Sequence, residues 1–169
     1  MSRWRSESPR GRFPGACIAI VASEFNRPIS LALVRGAVET LRRAGIAQRR
    51  IRVLWAPGAF ELPSVAAIAA RAKPKPHAIV AVGALIRGAT PQYEVIAHAA
   101  AQGLSRVGLD AGIPVTFGVI VANTAAQAKA RAGLPASGRR RQAGGPLVNR
   151  GAEAAMAALA VLKTGRSHA

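Results

Sequence analysis

The sequence predicts an α/β fold, a four-stranded parallel sheet with helices on both faces. Three observations predict it. Short apolar runs recur at residues 16–22 (ACIAIVA), 51–55 (IRVLW), 78–82 (AIVAV) and 114–121 (PVTFGVIV), as expected of strands buried on both faces. A segment of helical character follows each of them. The chain has 169 residues, half of them apolar, which suits one domain with one ordinary core.

The elements follow in order. Residues 16–22 form the first strand, and the loop SEFNRPIS carries Pro28. Leu31, Val34, Val38 and Leu41 then recur at helical spacing, with Ser30 as the expected N-cap and Gly45 as the residue just past the end. The second strand, 51–55, ends at Pro57-Gly58, and 61–72 reads as a helix stopped by KPKP at 73–76. The third strand, 78–82, ends at Gly83. A loop, ALIRGATP, leads into a long helix over 93–111. The fourth strand is 114–121, followed by a short helix at 124–132 and an alanine-rich helix at 152–162. Right-handed crossovers leave few topologies for this order, and the simplest is a flavodoxin-like three-layer sandwich. Ligands in such sheets bind beyond the carboxyl ends of the strands. The segments to inspect are therefore 24–27, 57–61, 84–92 and 122–124.

Two segments fall outside this pattern. Residues 1–14 are basic, contain two prolines and lack an apolar stretch, so they read as a flexible arm rather than a secretory signal. Residues 15–169 form the single domain. Within it, 134–148 (LPASGRRRQAGGPLV) reads as a basic surface loop.

Composition excludes several classes. An apolar content of 50% excludes a disordered chain, and no apolar run approaches the length of about 20 residues that spans a membrane. A single cysteine, Cys17, excludes an internal disulfide and fits a reducing, cytoplasmic compartment. Three histidines in no metal-binding spacing argue against a metal site. The unusual quantity is charge: 24 basic residues against seven acidic give +17. Such an excess attracts anions, whether phosphorylated metabolites, nucleic acid or acidic surfaces. Aromatic content of 4% speaks against a stacking platform for single strands.

Several residues at strand ends have two readings. Phe25 either stacks on a planar heterocycle or covers the end of the core, and Asn26 beside it can cap a turn. Glu61 either serves a ligand or stabilises a helix dipole, and Phe60 beside it poses the same choice. Gly88-Ala89-Thr90 before the long helix either seats a phosphate or only turns the chain. Arg131 and Arg150 are either phosphate clamps or favourable charges at helix C-termini. Trp55 and Phe117 are strand residues for which core packing is the default. No Ser-His-Asp set, nucleotide-binding glycine motif or nucleophile elbow is present.

Several phrases together carry a resemblance. FN at 25–26, PGAFELP at 57–63, VGALIRGATP at 82–91, PVTFGVIVANT at 114–124, KARAG at 129–133 and NRGAEAAMAAL at 149–159 occur in this order. They resemble the lumazine synthase family, transferases of riboflavin biosynthesis, over about residues 16–162. The resemblance implies a flavodoxin-like sandwich assembled as a homo-oligomer, either a pentamer or a pentamer-based shell, needing neither cofactor nor metal. It implies condensation of 5-amino-6-(ribitylamino)uracil with 3,4-dihydroxy-2-butanone 4-phosphate to give 6,7-dimethyl-8-ribityllumazine. It also implies residue roles. Phe25 would stack on the pyrimidine. Ala59, Phe60 and Glu61 would line the ribityl pocket, and Ala84, Leu85 and Ile86 would offer backbone groups to the pyrimidine. Ala89 and Thr90 would hold the phosphate, while Phe117 and Arg131 would come from the neighbouring subunit, Arg131 completing the phosphate site.

The chain departs from the family pattern in places. The proton-shuttle position, normally histidine, is Gln92, and an amide does not exchange protons near neutrality. Arg150 stands where lysine is usual, keeping the charge but not the geometry. The 134–148 loop and the +17 charge are further departures. Three hypotheses follow, in this order: a slowed lumazine synthase, a non-catalytic paralogue that binds a lumazine or flavin or serves as a shell subunit, and a basic nucleic-acid-binding protein.

Overall fold

The computed structural model describes residues 12–135 and 149–167. The expected arm at 1–14 lies outside them up to residue 11, and the basic loop at 134–148 lies outside them from residue 136. The elements are β1 (Ile18–Ser23), α1 (Arg27–Arg43), β2 (Ile51–Ala56), α2 (Leu62–Ala70), β3 (Ala78–Ile86), α3 (Gln92–Ala111), β4 (Val115–Ala122), α4 (Ala125–Arg131) and α5 (Arg150–Ser167), with a 3₁₀ turn at Gln48–Arg50 before β2.

The strands are all parallel and lie in the order β2-β1-β3-β4, as expected for the flavodoxin-like sandwich. β1 is fully buried, and β3 is buried up to Leu85, between two apolar layers. One layer holds Leu33, Leu41, Ala155 and Leu159 of α1 and α5 against Ile18, Ile20 and Val80. The other holds Leu62, Ala66 and Leu104 of α2 and α3 against Val21, Ile79 and Val119. Burial on both faces therefore holds for the two central strands. It fails on the edges: Val53 of β2 and Phe117 and Val121 of β4 are exposed, because no described element covers those outer positions. Core packing as the default for Phe117 is thus corrected, its side chain being 43% exposed. Trp55 does pack against the core, with the Arg27 guanidinium 4.6 Å from its ring centroid.

Local chemistry explains the remaining differences. α1 begins at Arg27 and not after Ser30, because Asn26 is the N-cap residue and Pro28 fits the first turn, where its missing N–H costs nothing. Ser30 is instead buried, its hydroxyl 3.3 Å from that of Ser23. The far end of α1 closes as predicted. Gly45 adopts φ 85°, its amide bonds to the Arg42 carbonyl, and the Ile46 amide bonds to the Leu41 carbonyl. Ile46 and Leu41 are both buried there, completing a Schellman closure. β3 runs on through Ala84-Leu85-Ile86, expected as a loop, because β4 pairs with it to the register Ile86↔Ala122. α5 starts at Arg150, not 152, so Arg150 is at a helix N-terminus. The C-terminal dipole reading of Arg150 therefore fails, and its guanidinium bonds to Glu153 at 2.5 Å instead. His77 accepts the Cys17 amide at 3.0 Å through Nδ1 and so ties β1 to β3 at their starts.

Candidate active site

The chain leaves β1 for β2 on one side and returns across it to β3 on the other. A crevice opens at such a reversal, beyond the carboxyl ends of the strands. Here it is a cleft of about 760 Å³. The β1 loop contributes Phe25 and Asn26, and the β2–α2 turn contributes Gly58, Ala59, Phe60 and Glu61. The end of β3 contributes Ala84, Leu85 and Ile86. Gly88, Thr90, Gln92 and Tyr93 follow from the next loop and the first turn of α3.

The β1 loop is held firmly. Beyond the strand, the Glu24 amide bonds to the Ala56 carbonyl at 2.7 Å and the Phe25 amide to Pro57 at 3.2 Å. Asn26 turns the chain in the left-handed region (φ 58°), which asparagine tolerates better than most residues. Its Nδ2 donates to the Ala84 carbonyl at 2.9 Å and so bolts the loop to β3. The ring of Phe25 is then left 71% exposed on a fixed backbone. A residue that merely covered the core would be buried, so the ligand-stacking reading is favoured. Phe60 stands 59% exposed on the cleft as well.

Replacing Asn26 separates the two roles. Asn26→Ala loses the bond to Ala84 and strains the backbone, so the folded state should lose about 2 kcal/mol. Asn26→Gly keeps the conformation and should lose about half as much. Equal losses in chemical denaturation would mean that the backbone angle carries no cost.

The polar groups suit an anion at one end of the cleft. Among the described residues, the amides of Gly88, Ala89 and Thr90 donate to no protein acceptor, and they precede α3, whose N-terminal dipole end attracts negative charge. Pro91 is the N-cap residue and offers no side-chain cap, so the first-turn amides also lack one. Ala89 is exposed beside Thr90 but is not itself part of the cleft wall. Gln92 lines the cleft as the first residue of α3. Among the described residues no imidazole does: His77 is at the other end of β3, and His98 sits further along α3.

Tyr93 is a wall residue that sequence reasoning passed over. Its hydroxyl bonds to Glu94 Oε1 at 2.8 Å and lies 3.5 Å from Asn123 Oδ1. The bond to Glu94 raises the phenol above its usual pKa, with smaller contributions from desolvation and the Glu94 charge, against the lowering effect of Arg87. The ring therefore stays protonated throughout the neutral range. Glycines also shape the wall: a Cβ at Gly58 would meet Glu61 Oε2 at 2.9 Å.

Phe117, Arg131 and Arg150 lie outside this cleft. Phe117 is on the open edge of the sheet, Arg131 closes α4, and Arg150 opens α5. Among the described residues no group of three or more His, Cys, Asp or Glu side chains could hold a metal ion. No described helix is long and apolar enough to cross a membrane.

Comparison with known proteins agrees with this arrangement. The family model of 6,7-dimethyl-8-ribityllumazine synthase matches residues 15–166. A 6,7-dimethyl-8-ribityllumazine synthase from Gemmatimonas aurantiaca is 44% identical over 157 residues, covering 93% of this chain and 87% of that protein. The match spans every strand and helix that builds the cleft, and the chain belongs to the 6,7-dimethyl-8-ribityllumazine synthase family.

Proposed function

We propose that this chain condenses 5-amino-6-(ribitylamino)uracil with 3,4-dihydroxy-2-butanone 4-phosphate to 6,7-dimethyl-8-ribityllumazine, in the cytoplasm and as a homo-oligomer, either a pentamer or a pentamer-based shell. One observation carries the reading: Phe25, Ala59, Phe60, Glu61, Ala84, Leu85, Ile86, Thr90 and Gln92, drawn from distant parts of the chain, wall a single cleft.

In this reading Phe25 stacks on the pyrimidine, and the backbone of Ala84, Leu85 and Ile86 reads its edge. Glu61 accepts hydrogen bonds from ribityl hydroxyls beside Ala59 and Phe60. The free amides around Ala89 and the Thr90 hydroxyl seat the phosphate. Phe117 and Arg131 act from a neighbouring copy, where Arg131 completes the phosphate site. The exposure of Phe117 and its place outside the cleft within one chain support this assignment. Arg150, also outside, acts from the same neighbouring surface.

The 5-amino group attacks the ketone, and an imine forms with loss of water. Phosphate leaves, the product tautomerises, and the ribitylamino nitrogen closes the ring with loss of a second water. No step needs a strong protein nucleophile, a metal or a redox cofactor. Holding the two substrates in register supplies much of the acceleration.

The test mixes both substrates with purified protein and follows lumazine absorbance. Turnover above the protein-free rate is expected. Gln92 favours one second reading, a chain that binds a lumazine or flavin without turnover. Ligand binding with no rate above background would establish that reading in place of the first.

A further inference from the structure

The excess charge is unevenly placed. Helices alternate in direction with the parallel strands, so each has one end beside the cleft and the other at the amino end of the sheet. Glu24, Glu61, Glu94 and Glu153 all stand at the carboxyl end, among Arg27, Arg87, Arg131 and Arg150. Among the described residues, and counting Lys129 of α4, charge there is nearly balanced. At the opposite end the described carboxylates are Glu39 and Asp110, and both are already taken, by Arg43 and Arg106. Arg12, Arg42, Arg49, Arg50, Arg52 and Lys73 stand at that same end with no carboxylate partner among the described residues.

These cations form a connected surface on the β2 side. Arg12 packs beside Gly45, just past α1, whose last turn carries Arg42. Arg49 and Arg50 end the 3₁₀ turn before β2, and Arg50 reaches the Gly15 carbonyl at 3.1 Å. Arg52, the second residue of β2, reaches the Pro74 carbonyl at 2.9 Å, next to Lys73. The backbone bonds fix where these guanidinium groups stand without neutralising them.

We propose that this end of the molecule is a docking surface for nucleic acid, gripping the phosphodiester backbone without sequence selectivity. Like charges crowded together without carboxylates repel one another, and a polyanion relieves that repulsion while releasing its own counterions. Arginine forks match phosphate geometry. Among the described residues none of the exposed aromatic side chains, Phe25, Phe60 and Phe117, lies among these cations, so contact with the phosphodiester backbone rather than base stacking is expected. The same lack argues against a lipid surface, which calls for aromatic and long apolar side chains between the cations. The surface is at the far end of the sheet from the cleft, so binding leaves the cleft open.

The experiment measures binding of the full chain to a fluorescent 30-base-pair DNA duplex and a 30-nucleotide RNA as salt rises from 50 to 300 mM. Log affinity should fall linearly with log salt, with a slope of about 0.9 per phosphate contact on the duplex. The triple variant R42Q/R49Q/K73Q should lower that slope by roughly 2–3, and turnover in the lumazine assay should be unchanged. The triple variant R27Q/R87Q/K129Q removes equal charge at the carboxyl end of the sheet and should leave the slope close to that of the parent. Equal loss in both triples, or loss only in the second, overturns the proposal. So does the absence of binding to either probe at 50 mM salt. Binding to phosphatidylserine vesicles without binding to nucleic acid overturns it in favour of a membrane. Because the probe is not a substrate, this result is independent of whether the chain turns over.

Discussion

Gln92→His should raise kcat by about 10²–10⁴-fold, the usual worth of a positioned general acid–base. Gln92 lines the cleft at the first turn of α3, next to the open amides of the Gly88–Thr90 loop. Each step of the condensation moves a proton, and the polar groups around position 92 are poor carriers. An amide neither takes nor gives a proton near neutrality, and the Tyr93 phenol is held protonated by Glu94. An imidazole there would titrate near its ordinary value of about 6.5. The positive end of the α3 dipole would push it lower and keep it a neutral base at pH 7. The parent should therefore show no imidazole limb in its rate between pH 6 and 8, and the variant should gain one, falling on the acid side as the ring protonates. KM for both substrates should change little, because the groups proposed to hold the phosphate and the pyrimidine are untouched. A steady-state comparison of kcat and its pH profile decides the matter. An unchanged kcat in a folded variant would show that position 92 is not beside the reacting atoms.

The element order and the position of the candidate cleft were legible because they depend on local patterns. Apolar runs marked all four strands, and the rule that ligands bind at the carboxyl ends pointed to four segments, of which 24–27, 57–61 and 84–92 contribute to the cleft while 122–124 does not line it. What escaped depended on partners far along the chain. Ala84-Leu85-Ile86 reads as loop by itself and becomes strand because β4 pairs with it. The exposure of Phe117 follows from β4 being the edge of the sheet, which composition does not encode. Asn26 was visible as a turn former, but its bond to the Ala84 carbonyl crosses 58 residues of sequence. Tyr93 offered a usable signal, a phenol directly after the RGATPQ phrase at the start of a helix. The net charge was plain from counting, but the gathering of unpaired described cations at one end needed the helix directions.

Gly151→Ala should be the most damaging single methyl in the described chain, costing roughly 3 kcal/mol or more. α1 and α5 cross where Gly151 lets their backbones approach, while Gly36 makes room for the Asn149 side chain. A Cβ at Gly151 would press on the backbone of Leu33, 2.9 Å from its Cα, 2.7 Å from its carbonyl carbon and closer still to the oxygen. No rotamer change relieves a clash with backbone, so the helices must separate, opening the packing of Leu33 and Leu159. Asn149 sits in the same joint. Its Nδ2 donates to the Ala32 and Ala132 carbonyls at 3.1 and 2.9 Å, and its Oδ1 accepts the Ala152 amide at 3.1 Å, capping α5. Separation would strain all three bonds, each worth about 1 kcal/mol. For a domain of this size each kcal/mol lowers Tm by about 2–4 °C, so a drop of roughly 6–12 °C is expected. Gly165→Ala, on the same helix but with nothing within 4 Å of the new Cβ, should be neutral or slightly stabilising. Equal Tm values for the two variants would disprove the close-crossing account. The joint also reaches the chemistry: Ala132, held by Asn149, directly follows Arg131, so a shifted α5 moves the residue assigned to the neighbouring copy's phosphate. On the proposed site, Gly151→Ala should accordingly raise KM for the butanone phosphate more than for the pyrimidine, whose proposed contacts lie in the cleft of a single chain.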